Sequence, residues 1–176
     1  MKLLHLLKSI TVKNIFDKKK HGRIQEAKIA SIHYKSQDVR QGSMFVAIHG
    51  NVKDGHEYID AALANGASTI VTQKPVDRDS QVIEVEDTRR ALSAMAAAFY
   101  GNPSESLFII GVTGTNGKTT TSYLIESILL KAGFMVGVIG TINYRYAGRI
   151  FKNSVTTPES LDLQRILVDM LKHGIT

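Results

Sequence analysis

The chain has 176 residues, enough for one average domain or two small ones, and its 43% hydrophobic content is sufficient for a buried core. It has no cysteine, which excludes disulfides and thiolate metal sites. The formal net charge of +6 is local: residues 1–25 hold seven of the 22 Lys/Arg and one of the 16 Asp/Glu, so the remainder is balanced at fifteen of each sign.

The basic excess centres on Lys18-Lys19-Lys20-His21-Gly22-Arg23. This run reads as a solvated loop rather than a nucleic-acid contact, because no aromatic residues interleave it. At the N-terminus, His5 and Lys8 interrupt the leucines and no small-residue cleavage site follows, so no signal peptide is read. The longest strongly apolar stretch, Leu107–Val112, is far too short to span a bilayer. The expectation is a cytoplasmic protein with neither membrane nor nucleic-acid partners.

In chain order the elements alternate in an α/β manner. Residues 2–9 read as a short helix, and Ala27–Tyr34 and Ser43–Ile48 as strands. Tyr58–Asn65 reads as a helix closed by Gly66, followed by strands at Ser68–Thr72 and Gln81–Val85. Asp87 or Thr88 caps a helix through Tyr100, with Leu92, Met95 and Phe99 on one face and Gly101 and Pro103 as its stop. Asn102-Pro103-Ser104 is the expected boundary, giving domains at 1–102 and 103–176.

The second unit opens with Leu107–Val112, whose continuous apolar run predicts a parallel strand buried on both faces. A helix is predicted from Lys118 to Ala132, with Leu124, Ile125, Ile128 and Leu129 along one side and Gly133 after it. Met135–Ile139 predicts the next strand, and residues 141–151 a hairpin around Ala147-Gly148. Thr157-Pro158-Glu159 predicts a helix start with Thr157 as cap, the helix running to Lys172 and ending at Gly174. A single parallel pair is not a complete sheet, so the sequence reads as a fragment with an exposed edge.

The most informative segment is Gly111-Val-Thr-Gly-Thr-Asn-Gly-Lys-Thr-Thr-Thr121. Nucleotide phosphates need backbone N–H groups aimed inward around turns without a Cβ clash, which Gly114 and Gly117 provide. The loop opens a helix, so the positive dipole end faces the anion. Lys118 would reach the β- and γ-phosphates and Thr119 would offer its hydroxyl to Mg²⁺. The general G-x-x-x-x-G-K-[ST] pattern places its first glycine at position 112, which is valine here; Gly111 lies one place earlier.

That shift, with Gly-Thr-Asn-Gly-Lys-Thr-Thr at 114–120, is similar to the ATP loop of the Mur ligase family. The loop alone would equally suit folylpolyglutamate synthases or cyanophycin synthetases. Three further segments resemble the E-type Mur ligases. They are Val39–Gly50 with Asp54-Gly-His56 and Ala61–Ala67, then Gly140-Thr141, then Thr156-Thr157-Pro158-Glu159. The resemblance covers nearly the whole chain, in the family's order. It implies a small N-terminal α/β domain that binds the uridine end of the substrate, followed by the start of a P-loop parallel-sheet ATP-binding domain.

The resemblance also implies site residues. Gly114, Thr115, Asn116, Gly117, Lys118, Thr119 and Thr120 would hold ATP, with Lys118 catalytic and Thr119 the metal residue. Tyr34, Ser36, Asn51, Val52, Lys53, Thr156 and Thr157 would bind the UDP-muramoyl substrate. Where the family has Asp-Ser-Arg, this chain has Lys35-Ser36-Gln37, and Val155 replaces an asparagine before the paired threonines. The implied reaction is ATP-dependent addition of the third amino acid to UDP-N-acetylmuramoyl-L-alanyl-D-glutamate through an acyl phosphate. The amino acid would be meso-diaminopimelate or L-lysine, and this chain alone is expected not to catalyse the ligation. A non-catalytic nucleotide or UDP-sugar binding module on the same scaffold, or another Mur-like amide ligase, is the alternative. The six histidines show no metal-ligand spacing, and His56 reads as part of the turn at Asp54-Gly55.

Overall fold

A computed structural model describes residues 1–17, 27–50, 53–152 and 157–176. The basic run at 18–23 lies outside them. The chain divides into two compact units, Met1–Phe99 and Tyr100–Thr176.

The first unit is built on a five-stranded sheet of order β1-β5-β4-β3-β2. Its strands are β1 (Val12–Asp17), β2 (Ile32–His33), β3 (Ser43–Val46), β4 (Ala67–Thr72) and β5 (Gln81–Val85). Strands β2 to β5 are mutually parallel and β1 closes one edge antiparallel to β5. The β-branched and aromatic residues of the central strands are buried on both faces, as a parallel sheet requires. Phe45, Ile70 and Val82 stand side by side on one face, packed with Ile59 and Ala62 of helix α2 (Ile59–Ala64). The alternate positions Met44, Val46, Val71 and Ile83 are fully buried too. Helix α1 (Leu3–Leu7) packs on α3 (Thr88–Phe99). Asp87 caps α3, its Oδ1 accepting the N–H groups of Arg89 at 2.8 Å and Arg90 at 3.0 Å.

Two expectations for this unit change. The strand predicted over Ala27–Tyr34 narrows to Ile32–His33, because only those residues pair with β3. The segment Val12–Asp17, which carries no strong sequence signal, is a strand: an edge strand leaves Ile15 and Phe16 largely exposed, so it shows no clean alternation.

The second unit contains α4 (Lys118–Lys131), a three-stranded antiparallel sheet β6 (Val138–Ile139), β7 (Asn143–Tyr146) and β8 (Arg149–Lys152), and α5 (Ser160–Lys172). Tyr146, Leu167, Met170 and Ile175 form its core, with Tyr144 stacked on Phe151 at 4.7 Å. A side chain at Gly137 would meet the Met170 sulfur at 2.9 Å, so the chain passes close to α5 there and a larger residue would have to displace the flexible Met170 tip.

The strand predicted over Leu107–Val112 is not formed: these residues make no strand pairing, and Phe108 is 82% exposed. A parallel strand is stabilised by neighbours on both sides, and among the described residues none pairs with this run. The strand predicted over Met135–Ile139 shrinks to Val138–Ile139, the part that pairs with β7. Helix α5 begins at Ser160, not at the Thr157-Pro158-Glu159 turn. Its N-cap is Glu159, whose side chain accepts the Ser160 N–H at 3.0 Å, in place of Thr157. Among the described residues no helix is long and apolar enough to cross a membrane.

Candidate functional site

In the second unit, the segment from Gly114 to Thr119 forms a loop running into the N-terminus of α4. Gly117 is the N-cap residue, at φ +79°, and nothing lies within 4 Å of where its Cβ would stand. Gly114 sits at φ +147°. Both are conformations that L side chains resist, and both leave the loop's backbone bare. The Lys118 ammonium folds over this loop and donates to the carbonyls of Gly114 at 2.5 Å and Thr115 at 3.4 Å. The Ser122 hydroxyl donates to the Thr119 carbonyl at 2.8 Å, and Thr121 N–H to the Gly117 carbonyl at 2.9 Å, so the first helical turn is closed behind the loop.

Gly114, Lys118 and Thr119 line a cavity of about 920 Å³ that also takes in Glu126, Arg145 and Thr157. Thus the loop and the substrate candidate Thr157 face one space. Thr115, Asn116, Gly117 and Thr120 do not line it, and Thr156 lies outside the described residues.

The wall of the same cavity holds an ion pair that the sequence did not reveal. Arg145 Nε donates to both Glu126 oxygens, at 2.9 and 3.1 Å, and Nη2 donates to Oε2. The guanidinium lies 4.0 Å from the Tyr123 ring centre, and its Nη1 donates to Asn143 Oδ1 at 3.0 Å. The hydrogen bonds to Glu126 raise the Arg145 pKa further. This bidentate pair fastens the β7–β8 hairpin to α4. A Glu and an Arg nineteen positions apart give no spacing signal that reading by period would detect.

In the first unit, the remaining substrate candidates cluster by topology. Tyr34 and Ser36 follow β2, and Lys53 follows β3, its parallel neighbour. Both segments therefore leave the carboxyl ends of adjacent parallel strands, the edge where open α/β sheets bind ligands. Tyr34 is half-buried, with the Lys35 ammonium 5.4 Å from its ring centre. Ser36 opens a 3₁₀ turn, Ser36–Asp38, and its carbonyl accepts from Asn65 Nδ2 at 2.9 Å. The Lys53 carbonyl accepts the Gly50 N–H at 3.0 Å, and the Lys53 ammonium stands 5.8 Å from the Tyr58 ring centre. Asn51 and Val52 lie outside the described residues.

Asp54 directly follows Lys53. Its Oδ1 accepts the His56 backbone N–H at 3.0 Å, and Oδ2 lies 3.4 Å from His49 Nδ1 and 3.5 Å from Lys74 Nζ. The backbone hydrogen bond from His56 first, then the His56 ring, hold the Asp54 carboxyl well below the usual carboxylate range.

Comparison with known proteins bears on both units. The description "Mur ligase family, catalytic domain" matches residues 28–100, and "Mur ligase middle domain" matches residues 112–176. The UDP-N-acetylmuramoyl-L-alanyl-D-glutamate--2,6-diaminopimelate ligase of Clostridium botulinum is 42% identical over 180 residues, covering 99% of this chain and 36% of that protein. The protein of the same name from Aquifex aeolicus is 46% identical over 147 residues, covering 84% of this chain and 30% of its own length. The chain thus spans about a third of the length of these relatives. A solved structure of a UDP-N-acetylmuramoyl-L-alanyl-D-glutamate--2,6-diaminopimelate ligase superposes with TM-score 0.77 over all of this chain and 34% of its own, at 24% identity. MurF from Acinetobacter baumannii superposes at 0.60 over 95% of this chain and 32% of its own, at 23% identity; both likenesses concern the fold. With two adjoining descriptions of one family matched in order, and relatives above 40% identity along the chain, this protein belongs to the Mur ligase family.

Proposed function

We propose that this chain is the N-terminal part of an ATP-dependent ligase that adds 2,6-diaminopimelate to UDP-N-acetylmuramoyl-L-alanyl-D-glutamate. In this reading residues 1–102 receive the uridine end of the substrate, and residues 103–176 begin the ATP-binding domain. The choice of diaminopimelate rests on the similarity to diaminopimelate ligases. The observation that carries the rest is the Gly114–Thr119 loop at the head of α4, facing one cavity with Thr157.

The chemistry of such a ligation is a problem of charge: a triphosphate and a carboxylate must be held together. The loop meets it with what this chain supplies. Its bare backbone and the N-terminus of α4 present N–H groups and a positive dipole end. Lys118 adds a full positive charge, now resting on two loop carbonyls that a phosphate oxygen would displace. The half-buried Thr119 lines the cavity and fits the role of metal residue. A magnesium ion there would neutralise phosphate charge. Thr157, with Thr156 beside it in sequence, would meet the muramoyl substrate across the same space.

The test is Lys118→Ala. ATP affinity of this chain, measured by calorimetry, falls by tenfold or more (about 1.4 kcal/mol), while far-UV circular dichroism is unchanged. In the full-length protein turnover is lost. Unchanged ATP affinity overturns the assignment of the loop.

A further inference from the structure

The segment Asp54-Gly55-His56 does three separate jobs within the first unit. Asp54 caps the 3₁₀ turn Gly55–Tyr58. At Gly55 a Cβ would stand 2.6 Å from the Ile48 carbonyl oxygen and 2.9 Å from its nitrogen, so only glycine lets the returning chain lie against the segment after β3. His56 is the third, and its geometry fixes its protonation. The Gln73 backbone N–H donates to His56 Nε2 at 3.2 Å. A backbone N–H is only ever a donor, so Nε2 carries no proton. The ring proton then sits on Nδ1 and is donated to Asp54 Oδ1 at 2.5 Å. The imidazole side chain is only 10% exposed.

Gln73, just past the end of β4, is itself held. Its Nε2 donates to the Glu86 carbonyl at 3.0 Å, and its Oε1 accepts from the buried Thr88 hydroxyl at 3.0 Å. The His56 ring is therefore a strut between Asp54, the residue after Lys53, and the carboxyl ends of β4 and β5. We propose that His56 is a positioning residue for the uridine end of the substrate: as a neutral Nδ1–H imidazole bridging Asp54 to the Gln73 N–H, it sets Lys53, through its neighbour Asp54, against the sheet edge. The proposal rests on the reading of the first unit as the uridine-binding unit. His56 acts through Asp54 and Lys53, not on the ligand directly.

The experiment uses the whole 176-residue chain with UDP as probe, and ATP as an internal reference for the other unit. His56→Phe keeps a ring and removes both hydrogen bonds; His56→Gln retains an acceptor able to reach the Gln73 N–H. UDP affinity by calorimetry, at a temperature where each variant is fully folded, should weaken on the order of tenfold in His56→Phe and recover in part in His56→Gln, with ATP affinity unchanged. Long-range proton–nitrogen spectra of the unsubstituted chain should show the His56 proton on Nδ1. That spectrum needs no variant to fold. Equal UDP affinity in wild type and His56→Phe, or a proton found on Nε2, overturns the proposal while leaving the uridine reading standing. A wild-type chain that binds ATP but not UDP overturns that reading and the proposal with it.

Discussion

The two units treat their apolar residues in opposite ways. In the first, the central strand residue Phe45 is 0% exposed, and its neighbours Ile70 and Val82 are at most 1% exposed. In the second, the apolar run before the phosphate loop leaves Phe108 at 82% and Ile109 at 56%, and α4 has no buried residue. Both runs have the composition of a doubly covered parallel strand. The difference is pairing: Phe45 lies between β2 and β4, whereas among the described residues no strand pairs with Leu107–Val112. Apolar sequence states a demand for burial, and the parallel ladder decides whether it is met.

The sharpest way to break this contrast is a pair of truncations. Phe45→Ala opens a cavity inside a filled core and should cost about 3–5 kcal/mol. Leu124→Ala, on the 60% exposed flank of α4, should change stability by less than about 0.5 kcal/mol. Urea unfolding followed by circular dichroism measures both. A large loss at Leu124 would show that α4 is packed in solution and that the contrast is false.

A smaller effect separates the units by pH. Tyr146 is buried at the heart of the second unit and donates to Asp169 Oδ2. Burial first, and then that hydrogen bond, push its pKa from 10.0 up to about 12. The folded state therefore holds the phenolic proton more tightly than the unfolded chain does. Its contribution is whole below pH 10 and is lost as pH rises from 10 to about 12, by roughly 3 kcal/mol. Urea unfolding across that window should show the loss in the wild type and not in Tyr146→Phe. Equal pH dependence in the two would mean the Tyr146 hydroxyl is not held as described.

The same contrast explains what could be read beforehand. The glycine loop at the head of α4 was legible because its signal is local: glycines, lysine and threonine lie within six positions of one another. Strand β5 was legible through its alternation, and α3 through its cap at Asp87. Strand β1 was not, since an edge strand with an exposed face has no period to detect. Thr157 looked like a cap because threonine before proline suits that role, yet Glu159 reaches the first free N–H of α5 and takes it. The Glu126–Arg145 pair and the His56–Gln73 contact join residues nineteen and seventeen positions apart, which only folding brings together.

The smallest effect concerns the hairpin that closes the second unit. Tyr146 and Arg149 are paired across a two-residue turn whose central residues, Ala147 at φ +49° and Gly148 at φ +72°, both lie in the left-handed region. This is the turn geometry whose twist matches antiparallel strands, and it favours Asn-Gly over Ala-Gly. Glycine at 148 carries no steric penalty, but alanine at 147 brings its Cβ close to the following carbonyl, at a cost of about 1 kcal/mol. Asparagine enters this conformation more readily, so Ala147→Asn should stabilise the second unit by roughly 0.5–1 kcal/mol. The gain should appear where Tyr146 is probed and leave unfolding of the Phe45 core unchanged, because the turn contributes nothing to the first unit's sheet. A double variant with Phe45→Ala sharpens the test, since substitutions in separate cores add. Loss of stability in Ala147→Asn would mean that the turn is not of this type and that the register Tyr146–Arg149 is set by the Tyr144–Phe151 stack instead.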